Sequence, residues 1–262
     1  MSDASDCFYV DDGDQFVSGE LTRGPWSNAH QHGGPPAALL GRAIERFGDD
    51  AAERQVARIT FELFKPVPIA PLSIRVSLER PGKTVDRVAA TLEHAGEPLM
   101  RALGVRIKER PAPGADAMSP APELPSPEDL EPFMLDFFQH EVGYHRAVDG
   151  RFARGKWGDR DVIVWMRTLA RLLPDEEPSA LQRLLVMVDA ESGICPPLNP
   201  RRFTFLNPDL SVHIERPFEG EWLGLWVRSG AHPNGVGLAE SRLFDARGVV
   251  GRAAQSLVVS AR

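Results

Sequence analysis

Between residues 56 and 108 the apolar residues recur at every second position. Ile59, Phe61 and Leu63 are followed by Leu72, Ile74, Val76 and Leu78, then Val88, Ala90 and Leu92, then Leu103, Val105 and Ile107. This period of two, broken by turn residues, predicts an antiparallel meander. Just before it the spacing changes. Ala37, Leu40, Ile44 and Phe47 lie three and four apart, which predicts one amphipathic helix. Pro35 and Pro36 suit its first turn, where a missing N–H costs nothing, and Gly48 stops it. Residues 8–28 alternate loosely and predict two short strands.

The second half follows the same order. Strand-like stretches lie near 137–148 and 162–169. A helix is predicted from Ser179 to Ala190, with Ser179 as N-cap and Leu181, Leu184, Leu185 and Val188 as its apolar face. Gly193 and Pro196-Pro197 end it, and a second meander runs from 203 to 260. The strand ending at Lys65-Pro66 has a counterpart ending at Arg216-Pro217, and each meander closes on a glycine turn, Gly96 or Gly248. Residues 109–132 hold seven prolines and read as a linker, extended and poorly ordered or draped over the surface. The chain thus divides into residues 1–108, a Pro-rich linker 109–132, and residues 133–262. One helix backed by a meander in each half makes the fold class α+β.

Composition narrows the function. A formal charge of −7 argues against nucleic acid as the main partner, since phosphate binding needs a basic face. Two cysteines, Cys7 and Cys195, are too few for a disulfide framework and fit a reducing compartment. The polar, acidic N-terminal segment has neither the basic nor the apolar region of a signal peptide. No apolar run has the length of a membrane span. The expectation is a soluble, cytoplasmic protein.

Few residues carry recognisable chemistry. His30 and His32 offer two metal ligands, but no partner sits at a suitable spacing, so neither a metal nor another cofactor is expected. Gly33-Gly34 opens a helix, where backbone N–H groups and the helix dipole favour a carbonyl oxygen that becomes negative. A tight strand-to-helix turn needs glycine equally, and both readings stand. Asp189 borders the apolar face of the second helix, where partial desolvation favours a role as base; Glu191 is the competing acid. Asn207, held extended by Pro208, begins a strand, and Gln255 lies within the apolar last strand. Either amide also suits a structural hydrogen bond. Laying Arg216-Pro217 on Lys65-Pro66 puts Asn207 on Val56, and superposing the final glycine turns puts Gln255 on Leu103. The first half thus holds the glycine-opened helix and the second the polar trio.

These residues resemble the acyl-CoA thioesterase II family, the double-hotdog thioesterases. The likeness runs through His32-Gly33-Gly34-Pro35-Pro36, Phe64-Lys65-Pro66-Val67, Val188-Asp189-Ala190, Asn207-Pro208-Asp209-Leu210 and Ala254-Gln255-Ser256. It implies two hotdog units, each a long helix wrapped by an antiparallel sheet, the sheets joined edge to edge, and a homo-oligomer such as a dimer. It implies hydrolysis of an acyl-CoA thioester to free acid and CoA, with Asp189, Asn207 and Gln255 as the catalytic set and His32, Gly33 and Gly34 binding substrate. Asn207 stands where the family has Thr or Ser. Asn cannot relay a proton as Thr can, which leaves a non-hydrolytic acyl-CoA or acyl-carrier binding protein as the alternative. A hotdog dehydratase would need a His/Asp pair on a helix, and neither helix has a histidine.

Overall fold

The computed structural model describes residues 6–115, 117–134, 138 and 140–262. The first half comprises β1 (Tyr9–Asp11), β2 (Phe16–Ser18), α1 (Gly34–Glu45), β3 (Arg54–Leu63), β4 (Pro71–Arg80), β5 (Val85–His94) and β6 (Glu97–Lys108). The second comprises α2 (Tyr144–Ala147), β7 (Val148–Arg154), β8 (Asp161–Thr168), α3 (Ala180–Val188), α4 (Glu191–Ile194), β9 (Phe203–Leu206), β10 (Asp209–Ile214), β11 (Leu223–Ala231), β12 (Val236–Asp245) and β13 (Gly248–Ala261). The expected α+β double hotdog is found. Both meanders form as the period of two predicts, and Ser179 caps α3 by accepting from the Gln182 N–H.

One difference falls at the start of the second half. Within the stretch 137–148, residues 137 and 139 lie outside the described residues, Tyr144–Ala147 is a single helical turn, and the strand begins only at Val148. Tertiary contact decides this turn, because the Tyr144 ring stacks on His32 and its hydroxyl donates to the Val186 carbonyl.

The described strands form one sheet of 13, in the order β1-β2-β4-β5-β6-β3-β10-β13-β12-β11-β8-β7, with β9 pairing off β13. The halves join through β3 and β10, antiparallel, with Thr60 opposite Ser211. Both helices lie on the concave side, against each other. Their approach is backbone to backbone: a Cβ on Gly34 would stand 2.2 Å from the Val186 carbonyl oxygen of α3. Arg42 forks onto Glu176 at 2.8 and 2.5 Å, and Glu45 accepts from Ser179 and Gln182. The far end of α1 is held by Arg106, 1 % exposed. It pairs bidentately with Asp86 at 3.0 and 2.8 Å and donates to the Phe47 carbonyl. A buried Arg–carboxylate pair of this kind orients more than it stabilises.

The Pro-rich segment drapes over the convex face. Ala121, Leu124 and Leu130 pack on Ile163, Trp165 and Phe244. The Ser119 carbonyl accepts from the Val249 N–H, and Arg151 donates to the carbonyls of Pro127 and Leu130. Among the described residues no helix is long and apolar enough to cross a membrane.

The register corrects one internal alignment. Leu103 lies opposite Thr60, and Ala254 lies opposite Ser211. If Thr60 matches Ser211, as the Lys65-Pro66 and Arg216-Pro217 corners require, then Ala254 matches Leu103 and Gln255 matches Gly104. The glycine turns fall out of step because the two glycines hold different places in equivalent hairpins: Gly96 precedes Glu97, which pairs with His94, whereas Gly248 itself pairs with Asp245. A Cβ on Gly104 would stand 2.5 Å from Ile44 Cγ2 of α1. In the first half, therefore, a helix side chain fills the space that an amide fills in the second.

Candidate active site

Asp189 is the C-cap of α3 and only 8 % exposed. Packing of Leu184, Leu185 and Val188 on the core delivers it to the start of α1. Its two carboxylate oxygens have different partners. Asn207, between β9 and β10, donates its Nδ2–H to Oδ1 at 2.9 Å. His32 sets its Nδ1 3.2 Å from Oδ2. The loop bearing His32 is pinned on both sides, since the His32 N–H donates to the Thr22 carbonyl and the Gln31 side chain donates to Ser18 and the Pro68 carbonyl. The His32 ring lies flat on Tyr144, centroids 3.7 Å apart. Burial holds the His32 pKa below its ordinary value, opposed by the Asp189 carboxylate. Burial, with the same carboxylate, pushes the Tyr144 phenol well up.

His32 Nδ1 has a second neighbour, the Gly34 N–H at 3.1 Å. Its lone pair can accept from that N–H, or the nitrogen can carry a proton toward Asp189; it cannot do both. Pro35 and Pro36 have no N–H, and the Ala37 N–H donates to the Gly33 carbonyl. Of the glycine pair it is Gly33, not Gly34, that lines the cavity with its N–H free of protein acceptors among the described residues. Gly33 also needs its lack of a side chain, because a Cβ would stand 2.7 Å from Asp189 Oδ2.

Gln255 lies deeper than the sequence reading placed it. It is wholly buried and outside the cavity wall. Its Nε2 donates to the Asp189 backbone carbonyl at 3.1 Å, and its Oε1 has no protein partner. Gln255 therefore anchors the end of α3 from behind. Glu191 is also fully buried. Ser241 donates to one of its oxygens and the other is unpartnered. Burial raises its pKa well above the ordinary carboxylate value.

The cluster forms one wall of a cavity of about 590 Å³, within the range of small-molecule sites. Its deeper wall is apolar, with Phe133, Phe138, Val148 and Met166, and its mouth carries Trp26, Phe64 and Lys65. Tyr144 and the Phe133–Phe138 wall escaped the sequence reading. Their only signal was an aromatic-rich stretch that also suits a strand. Among the described residues no three His, Cys, Asp or Glu side chains gather as metal ligands.

Residues 22–107 match the sequence profile of the acyl-CoA thioesterase N-terminal domain and residues 120–259 that of the acyl-CoA thioesterase C-terminal domain. No curated protein sequence matches. Solved structures of similar shape include a conserved protein of unknown function with a hot dog fold from Alicyclobacillus acidocaldarius (TM-score 0.76, 16% identity, covering 100% of both chains). The tesB protein of Mycobacterium avium subsp. paratuberculosis has a TM-score of 0.70 at 19% identity, over 94% of this chain and 93% of that one. The acyl-CoA thioesterase II TesB2 of Mycobacterium marinum has a TM-score of 0.65 at 16% identity, over 88% and 90%. At these identities the structures speak for the fold.

Proposed function

The chain belongs to the acyl-CoA thioesterase family, and from that premise we propose that it hydrolyses an acyl-CoA thioester with a water activated at Asp189. The observation that carries this reading is the Asp189 carboxylate itself. It is nearly buried, fixed by Asn207 and His32 on separate elements, and faces an apolar cavity able to hold an acyl chain.

The thioester carbonyl points at the Gly33 N–H, which stabilises the oxyanion as it forms. Asp189 takes a proton from water as the hydroxide oxygen bonds to the carbonyl carbon. The tetrahedral intermediate collapses, the C–S bond breaks, and the proton on Asp189 passes to the leaving thiolate of CoA. Asn207 holds Oδ1 in place, a task that asks only for a donor, so Asn serves without relaying a proton. His32 holds Oδ2 in place, Tyr144 holds the His32 ring, and Gln255 fixes the helix end. Phe133, Phe138 and Met166 receive the acyl group.

The test is turnover of short-chain, long-chain and aryl acyl-CoAs by the wild-type protein and by Asp189→Ala. Wild-type turnover lost in the variant supports the assignment. An Asp189→Ala protein as active as wild type would remove Asp189 from the mechanism. Tight CoA-ester binding with no turnover would move the chain to the binding-protein alternative.

A further inference from the structure

The convex face of the sheet carries an ordered line of charge. Following the register from strand to strand, Arg80 lies opposite Arg87, Arg87 opposite Val105, and Val105 opposite Arg58. Arg58 then lies opposite His213, His213 opposite Arg252, Arg252 opposite Arg242, and Arg242 opposite Trp226. Five arginines and a histidine thus stand in single file across β4, β5, β6, β3, β10, β13 and β12. Side chains directly opposite on one face are close neighbours, and like charges there repel. The usual remedy is an interleaved carboxylate, as Asp161 provides for Arg154 and Arg228. Among the described residues no carboxylate pairs with Arg58, Arg80, Arg87, Arg242 or Arg252. The Arg58 Nε is enclosed with no hydrogen-bond partner. The end of the file nearest Trp226 borders a groove of about 650 Å³ that includes His213, Arg242 and Arg252. In a chain of net charge −7, five guanidinium groups without a carboxylate partner share one line.

We propose that this file binds a chain of phosphates. Every fixed charge in it is arginine, whose planar fork matches phosphate oxygens bidentately. Neighbouring strands turn relative to each other by about 20–25°, so the file curves as it crosses the sheet. A flat lipid surface meets only part of such a line, while a flexible linear anion follows it. A protein partner needs an apolar centre to its interface. Around His213 and Arg252 the flanking positions Thr60, Ser211, Ala254 and Glu240 supply none. No aromatic ring stands between Arg58 and Arg242 on which a base could stack. Glu215 and Glu240 border the groove and confine an anion to the file.

His213 reports on occupancy. Burial, then the Arg252 and Arg58 cations, hold its pKa down. Arg58 faces it from β3 and Arg252 from β13, and Glu215 lies just past the end of its own strand. A phosphate among these groups reverses the balance and raises the value. The site is separate from the cavity, because β13 turns Arg252 outward and Gln255 inward.

Isothermal titration calorimetry with tripolyphosphate, ATP and coenzyme A tests the proposal, using wild type and an Arg242→Ser/Arg252→Ser double variant. Both positions are exposed, and thermal melting checks the fold. Tripolyphosphate binding that weakens at least tenfold in the variant, with a rise in the wild-type His213 pKa by NMR, is the expected result. Variant-sensitive binding of ATP or coenzyme A as well points to a nucleotide as the source of the phosphates, and tripolyphosphate alone to an inorganic one. No binding overturns the proposal, as does undiminished binding by the variant, or tighter binding of poly-glutamate or of phosphatidylserine vesicles.

Discussion

Adding a single methyl group at Gly33 separates the chemistry from the fold. Gly33 sits at φ −68° and ψ −20°, ordinary right-handed geometry that alanine adopts without strain. On the backbone alone Gly33→Ala stabilises by about 0.4–1 kcal/mol through the unfolded chain. The new Cβ would stand 2.7 Å from Asp189 Oδ2 and 3.0 Å from both Cγ and Oδ1, where ordinary contact begins at 3.4 Å. The carboxylate must therefore withdraw by about 0.7 Å. The side chain can yield by leaving its rotamer well, at about 0.5–1.5 kcal/mol, so net stability changes by no more than about 1 kcal/mol. Catalysis has no such tolerance. The Asn207 bond lengthens, the His32 contact is lost, and a displacement near 1 Å costs roughly 10²-fold in rate. The control is Gly34→Ala, whose Cβ would stand 2.2 Å from the Val186 carbonyl oxygen. There the two helices must part, and overpacking of that kind costs about 1–3 kcal/mol. Steady-state hydrolysis with thiol detection gives kcat, and urea unfolding gives stability. A Gly33→Ala protein with wild-type kcat, or one whose activity loss is matched by unfolding, would refute the reasoning.

Other expectations follow from the same contacts. Asn207→Ala leaves Asp189 Oδ1 without its 2.9 Å donor and lowers kcat by about tenfold to a hundredfold, the worth of a hydrogen bond to a charged group; KM is the control. Glu191 is held protonated by burial, so unfolding releases a proton and stability falls as pH rises above the ordinary 4.5, by up to about 1.4 kcal/mol per pH unit. Glu191→Gln removes that slope, read as the difference between wild-type and variant urea midpoints at several pH values. Tyr144→Phe loses the bond to the Val186 carbonyl but keeps the ring over His32, so it costs about 1 kcal/mol of stability and little activity. Tyr144→Ala removes the stack and lowers kcat further.

The meanders and both helices were legible because burial on one face imposes a period on the sequence. Asp189 was legible for a related reason, since a carboxylate beside Val188 and Leu185 borders a buried stripe. His32 as its partner was not, because 157 residues separate them and only the docking of α1 on α3 brings them together. Gln255 illustrates the limit of comparing halves by their turns. A glycine can stand at either of two neighbouring places in the same hairpin, and one residue of slip exchanges the two faces of a strand. The Tyr144 turn was hidden because its conformation comes from His32 and Val186, not from its neighbours in the chain.

The exchange of Gln255 for Gly104 bears on how a duplicated unit ages. Ile44 occupies through Gly104 the space in which a second anchoring amide would stand, so the first half is filled, not merely vacant. A reversal would require shrinking a core residue and adding an amide together, since either change alone leaves a void or a clash. Divergence of the two halves is thus locked by packing. A survey of random substitutions should find the first half forgiving of polar exchange on its sheet and exacting about volume beneath α1, with the opposite bias around Asp189.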